Sequence, residues 1–166
     1  GTGDFTVEFW VKNSAPAGLN EDHFTLESDN GMQLVIGLED GSPYAKINSG
    51  ANLIAIVGGP ALTPALETDT WTHLAVVWNA TDKILSLYRD SLVRLFAASN
   101  ATLGADIDFG DKISYARLGA VTGGSIDEFR FWTTARTPNQ LDQWKDRIFP
   151  APISKFYYER TMAEPQ

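Results

Sequence analysis

Cysteine is absent from the 166-residue chain, and histidine and methionine occur only twice each. Disulfides, thiolate catalysis and cysteine-ligated zinc are therefore excluded. A small animal extracellular domain more often carries a disulfide, so the composition suits a bacterial or viral surface protein. Positive charge is scarce as well. Thirteen Lys and Arg stand against 21 Asp and Glu, giving a formal charge of −8 and a pI near 4.6. Phosphate binding needs clustered basic residues, which argues against nucleic acid or an anionic membrane surface as partner. It leaves room for Ca²⁺, whose sites are built from carboxylates and carbonyls. No apolar run approaches the ~18 residues of a membrane span; the longest, near Leu53–Val57, ends at Gly58-Gly59-Pro60. No signal peptide is visible and the chain begins with Gly1, so it reads as a fragment or a processed product.

What is abundant is strand pattern. With 43% hydrophobic and 20% charged residues the chain is ordinary globular material, one domain in length. Asp4–Lys12 alternates cleanly, with Phe5, Val7, Phe9 and Val11 on one side and Thr6, Glu8, Trp10 and Lys12 on the other. His23–Glu27, Met32–Leu38, Tyr44–Ile47, Ala51–Val57, Ser91–Phe96 and Tyr115–Leu118 are further strand candidates. A hairpin is expected at Glu39-Asp40-Gly41-Ser42. Trp71–Trp78 and Ile84–Arg89 form a central ribbon joined by a polar turn at Asn79–Lys83. If Trp78 opposes Ile84, then Val76 faces Ser86 and Leu74 faces Tyr88. Both ribbon sides are apolar, which places it inside a two-layer sandwich. Ile126–Trp132 alternates again, with Asp127, Phe129 and Phe131 on one side and Glu128, Arg130 and Trp132 on the other.

One helix is expected, Pro138–Arg147. Thr137 serves as N-cap, Pro138 takes the first helical position and Gln140 completes a capping box. Leu141, Trp144 and Ile148 make its apolar stripe. The fold class is thus all-β: a two-sheet antiparallel β-sandwich with one short C-terminal helix, over residues 1–149, followed by a tail, 150–166.

Three ordered motifs, DFTVEFWVK, WTHLAVVW…LSLYRD and GSIDEFRFWTTARTPNQL, resemble the laminin-G-like jelly rolls of the concanavalin A-like lectin/glucanase superfamily. The resemblance covers roughly residues 1–148. It implies a jelly roll and a choice among sugar binding, protein adhesion, Ca²⁺-dependent recognition and glucan hydrolysis. The family pattern usually places a strand or two before the first motif, where this chain has only Gly1-Thr2-Gly3. The tail segment Lys155–Arg160, from the same or a neighbouring copy, is expected to pair near that vacant edge.

Candidate chemistry follows from the polar positions. Glu8 and Arg130 sit mid-strand on the non-core side, and on neighbouring strands they would pair beside Trp10 and Trp132. Those four are the candidate ligand-binding residues, with the indoles stacking on a sugar's C–H face. The alternative is that the two indoles are covered and form a second small core. For a metal, Asp127 matches by resemblance a carboxylate that binds structural Ca²⁺ between the last strand and the N-terminal segment, with Asp4 nearby; Asp106, Asp108 and Asp111 suggest a rim Ca²⁺ site. Asp106 and Asp108 are also the nearest approach to the alternating carboxylates of a glucanase, but outside a hydrophobic strand. His73 lies mid-ribbon as a half-buried side chain, and no G-x-S-x-G elbow occurs. The sequence therefore predicts a non-catalytic recognition or adhesion module, extracellular, on a cell surface or on a virion. It would be part of a larger chain or assembly, with carbohydrate as first ligand and protein as second. A purely structural decoration or fibre module is the alternative, and a hydrolase ranks last.

Overall fold

The computed structural model describes residues 3–14, 20–90, 93–98, 107–119 and 124–146. The alternating N-terminal segment forms β1 (Phe5–Asn13). It is followed by β2 (Glu21–Ser28), β3 (Met32–Glu39), β4 (Ser42–Ser49), β5 (Asn52–Gly58), β6 (Trp71–Asn79), β7 (Ile84–Arg89), β8 (Val93–Ala98), β9 (Ile113–Leu118), β10 (Gly124–Trp132) and the helix α1 (Pro138–Lys145). The strands make two five-stranded antiparallel sheets of order β10-β1-β6-β7-β8 and β5-β4-β3-β2-β9. This is the expected β-sandwich. We call the sheets A and B. The segment Lys155–Arg160 lies outside the described residues.

The core fills the space between the sheets. Phe5, Val7, Phe9 and Val11 from β1 meet Leu34, Ile36 and Leu38 from β3, with Trp78, Leu85 and Leu87 from the ribbon. Complete burial of a side chain of this size contributes about 1.5–3 kcal/mol, so this layer outweighs any single polar contact. The β3–β4 hairpin turns through Asp40 (φ 49°) and Gly41 (φ 77°), the positive-φ pair that suits a two-residue turn to strand twist.

Two registers differ from expectation. In the ribbon Asn79 pairs with Ile84, Trp78 with Leu85 and Val76 with Leu87. The slip of one residue exchanges faces along β7. Leu74, Val76, Trp78, Leu85 and Leu87 face the core, whereas Ala75, Val77 and Tyr88 form a second cluster with Leu141 of α1. The turn causes the slip. The Asn79 side chain accepts from Asp82 N at 2.9 Å and donates to Asp82 Oδ2 at 2.8 Å, so Asn79 belongs to the strand end and the loop starts one residue later.

In β10 a bulge breaks the alternation. Glu8 pairs with Arg130 but Trp10 with Asp127, and Glu128 takes φ 52°. Ile126 thereby turns inward opposite Val11, and Asp127 moves to the side of Trp10. Phe129 stays inward, with its ring centroid 5.0 Å from that of Phe24. Phe131 stacks on Phe5 at 6.1 Å yet is 46% exposed, because β10 is an edge strand.

The capping box predicted the start of α1. Thr137 is the N-cap, its side chain accepting from Gln140 N, and Gln140 answers to Thr137 N. The helix lies on the outer face of sheet A through Leu141, the fully buried residue of its apolar stripe.

Candidate functional site

Two polar assemblies stand out, one on the outer face of each sheet. The first gathers all four residues expected to bind ligand. Glu8 is fully buried on β1, opposite Arg130 on β10 and beside His73 on β6. Its Oε1 accepts from Trp132 Nε1 at 2.7 Å and lies 3.7 Å from Arg130 Nη1, and its Oε2 lies 3.2 Å from His73 Nε2. Arg130 also donates to Glu128 Oε2 and to the carbonyl oxygen of Trp144, and Trp10 Nε1 donates to the carbonyl oxygen of Lys145. The last two bonds reach carbonyls in the last turn of α1, where intrahelical donors run out. The Arg136 guanidinium covers Trp132 at 3.7 Å from its ring centroid.

The expected cross-strand pair therefore exists, but it faces a helix instead of an open groove. Glu8 is at 0% and Arg130 at 8% exposure, and both indole N–H groups are used internally. This matches the alternative of a second small core. Burial by itself would raise the Glu8 carboxyl. The His73 contact, the indole N–H of Trp132 and the Arg130 charge outweigh it and hold Glu8 below the ordinary carboxylate value.

His23 is also fully buried, and burial lowers its pKa against the opposing pull of Glu21 and Asp22. The two groups together set the acid response. A group with a lowered pKa takes up its proton more readily in the unfolded chain, so acid favours unfolding. The His23 contribution is complete above pH 6.5 and declines below it; the Glu8 contribution is complete above pH 4.5 and is lost as pH falls through its folded value. Melting temperature should therefore fall in two stages on acidification. A His23→Gln variant should lack the upper stage, and a flat profile from 6.5 to 4.5 in the unsubstituted protein would contradict this reading.

The acidic candidates do not converge. Asp127 is exposed, and its Oδ1 accepts from Glu128 N at 2.8 Å. Asp4 lies roughly 20 Å further down β1, where its Oδ1 accepts from Ala80 N at 2.8 Å. The bulge and the pairing of Trp10 with Asp127 separate the two carboxylates. Asp108 Oδ1 accepts from Gly110 N, and Asp106 lies outside the described residues. Among the described residues no three His, Cys, Asp or Glu side chains group as a metal site. Asp127 and Asp4 thus do not share the Ca²⁺ site that the resemblance implies for them.

The second assembly is open. A cleft of about 510 Å³ lies on the outer face of sheet B, within the range of small-ligand sites. Side chains from successive strands form rows across it. In one row Asp22, Gly37, Tyr44 and Gly58 are neighbours on β2, β3, β4 and β5. The Tyr44 hydroxyl donates to Asp22 Oδ1 across the bare Gly37 backbone. Burial first, then this bond and the Asp22 and Glu39 charges, push the phenol pKa well up, so it remains a donor. In the next row Ile56, Lys46, Val35, Thr25 and Arg117 are neighbours across all five strands. Beyond it, Asn48 donates to Gln33 and Gln33 to Glu27, each at 3.4 Å, and Glu27 pairs with the half-exposed Tyr115. Sequence reading singled out none of these residues. Their signal was present as polar non-core positions on β2, β3 and β4, but only strand order puts them side by side.

A model of the concanavalin A-like lectin/glucanases superfamily, Laminin_G_3, matches residues 1–142. The chain belongs to this family. Among solved structures this Laminin_G_3 domain is similar to a heptameric SAP-like pentraxin from Limulus polyphemus, at 18% identity and TM-score 0.56, over 84% of this chain and 68% of that one. It is also similar to the NanB sialidase from Streptococcus pneumoniae, at 20% identity and TM-score 0.66, over 85% of this chain but 24% of the sialidase. A third is domain 4 of AbnA, an extracellular arabinanase from Geobacillus stearothermophilus, in complex with arabinotriose. It shows 23% identity and TM-score 0.59 over 85% of this chain and 66% of that one. Identities this low establish a shared fold. No curated protein matches the chain in sequence.

Proposed function

We propose that the domain is a non-catalytic carbohydrate-binding module of an extracellular or surface-exposed protein, and that the glycan lies in the cleft on sheet B. The observation that carries this is the rows of hydrogen-bonding side chains on an open sheet face, where Asp22, Tyr44, Lys46, Ile56 and Arg117 line the cleft and the half-exposed Tyr115 flanks it on β9. Sugar hydroxyls need several fixed donors and acceptors at once, and sugar C–H faces need an apolar or aromatic edge. This face supplies both, whereas the Trp10–Trp132 assembly is closed by α1. The arabinotriose complex of the AbnA domain and the putative carbohydrate binding protein from Bacteroides ovatus among the similar structures support the reading. No described helix is long and apolar enough to cross a membrane.

A glycan array tests it. The unsubstituted domain should bind a defined subset of glycans, with and without chelator alike. Asp22→Ala and Tyr115→Ala should each weaken binding by about threefold to tenfold, the scale of one hydrogen bond or one stacking contact, without lowering the melting temperature by more than a few degrees. Silence across the array would assign the face to a structural contact.

A further inference from the structure

We infer that the glycan is acidic and that its anionic group is held between Lys46 and Arg117; this rests on the reading of the cleft as a glycan site. Lys46 on β4 and Arg117 on β9 occupy the same row, three strand spacings apart, or about 14 Å at the backbone. Between them lie only Val35 and Thr25, both buried, so no side chain of the row competes for the two cations. The Lys46 ammonium sits over the Tyr44 ring at 5.1 Å, a contact that leaves its N–H groups available. Neither cation forms an ion pair among the described residues, in a chain where acids outnumber bases 21 to 13.

The cleft's own acids do not fill the gap. Asp22 receives the Tyr44 hydroxyl, and Glu21 and Glu39 stand at the ends of β2 and β3, on the far side of the Tyr44 row. Charge is thus divided across the face: Lys46 and Arg117 lie in the middle, Glu21, Asp22 and Glu39 form an acidic rim at the cleft end, and Glu27, which accepts from Gln33, lies one row beyond on the other side. Neutral hydroxyls gain little from two cations. A carboxylate or sulfate ester gains charge-assisted hydrogen bonds from both, in a forked arrangement at Arg117. The acidic rim would turn away a second negative group and accept hydroxyls.

Isothermal titration of the whole chain decides the matter, using trigalacturonate, its methyl ester, a sulfated galactan oligosaccharide and neutral cellotriose. One of the two anionic ligands should bind at least about tenfold more tightly than the neutral ones, the scale of a charged hydrogen bond, and the preference should shrink as NaCl is raised. Which of the two binds separates carboxylate from sulfate recognition. Lys46→Met and Arg117→Met should each remove most of the preference, and Lys46→Arg should keep it. Both side chains lie on the surface layer, and matching melting temperatures would confirm intact folds. Failure of both anionic ligands to outbind the neutral pair, or anion binding indifferent to both methionine variants, overturns the inference while the glycan reading stands. Absence of binding to all four, with a silent array, overturns both.

Discussion

Glu8→Ala should destabilise the domain by about 3–5 kcal/mol, the cost of removing one member of a buried ion pair. Alanine would leave Arg130, His73 and the indole N–H of Trp132 in a space that water does not reach, each having lost its partner on Glu8. It would also leave a cavity under α1. Glu8→Gln keeps the shape and an acceptor for Trp132 while deleting the charge, so its effect should be roughly half as large. By contrast, the partly exposed i,i+3 pair Lys145–Asp142 on the helix, at 2.9 Å, is worth only about 0.3–0.5 kcal/mol. Urea unfolding followed by tryptophan fluorescence would measure all three. A loss below about 1 kcal/mol for Glu8→Ala would show that the buried charge pair contributes little to the stability of the domain.

Gly37→Ala should cost about 3 kcal/mol and weaken ligand binding at least as much as Asp22→Ala. A Cβ at this position would come 2.1 Å from the carbonyl oxygen of Glu21 and 3.0 Å from Asp22 Cα. The obstruction is backbone, so no rotamer change relieves it, and overpacking of this kind costs about 1–3 kcal/mol or more. The reason lies in β2, where the register skips from Asp22 to Phe24 and His23 is the extra residue. That bulge presses Glu21 and Asp22 against the face of β3, which only a glycine permits. Relief by movement of β2 would carry Asp22 away from the Tyr44 hydroxyl. Denaturant unfolding and titration with the best array ligand would report the two effects. A variant with undiminished affinity would separate the bulge from the site.

Fold was legible because it is written in short-range pattern. Phe5, Val7, Phe9 and Val11 alternate in the sequence as they do in the core, and Thr137, Pro138 and Gln140 announce α1 from neighbouring positions alone. Faces and registers were less legible. The side chain of Asn79 chose the ribbon register, and a left-handed Glu128 reversed Ile126 and Asp127; neither choice shows in apolar periodicity. The candidate site was least legible of all. Glu8 and Arg130 could be matched because each stands out as a charge within an apolar strand, and they do meet. Nothing in β2, β4 or β9 separately marks Asp22, Tyr44, Lys46 or Arg117. Their meaning arises from lateral order in sheet B, where β9 joins β2 from across the chain.

The place of β1 in sheet A has a consequence for synthesis. Its neighbours are β6 and β10, and the Thr6 side chain bonds a carbonyl 128 residues later in the chain. A ribosome therefore releases these four alternating hydrophobic residues long before β10, their last partner. Such long-range pairing is slow to form and leaves sticky surface exposed meanwhile. Chains stalled before residue 124 should engage chaperones through this segment, and a shortened gene product ending there should accumulate in inclusion bodies.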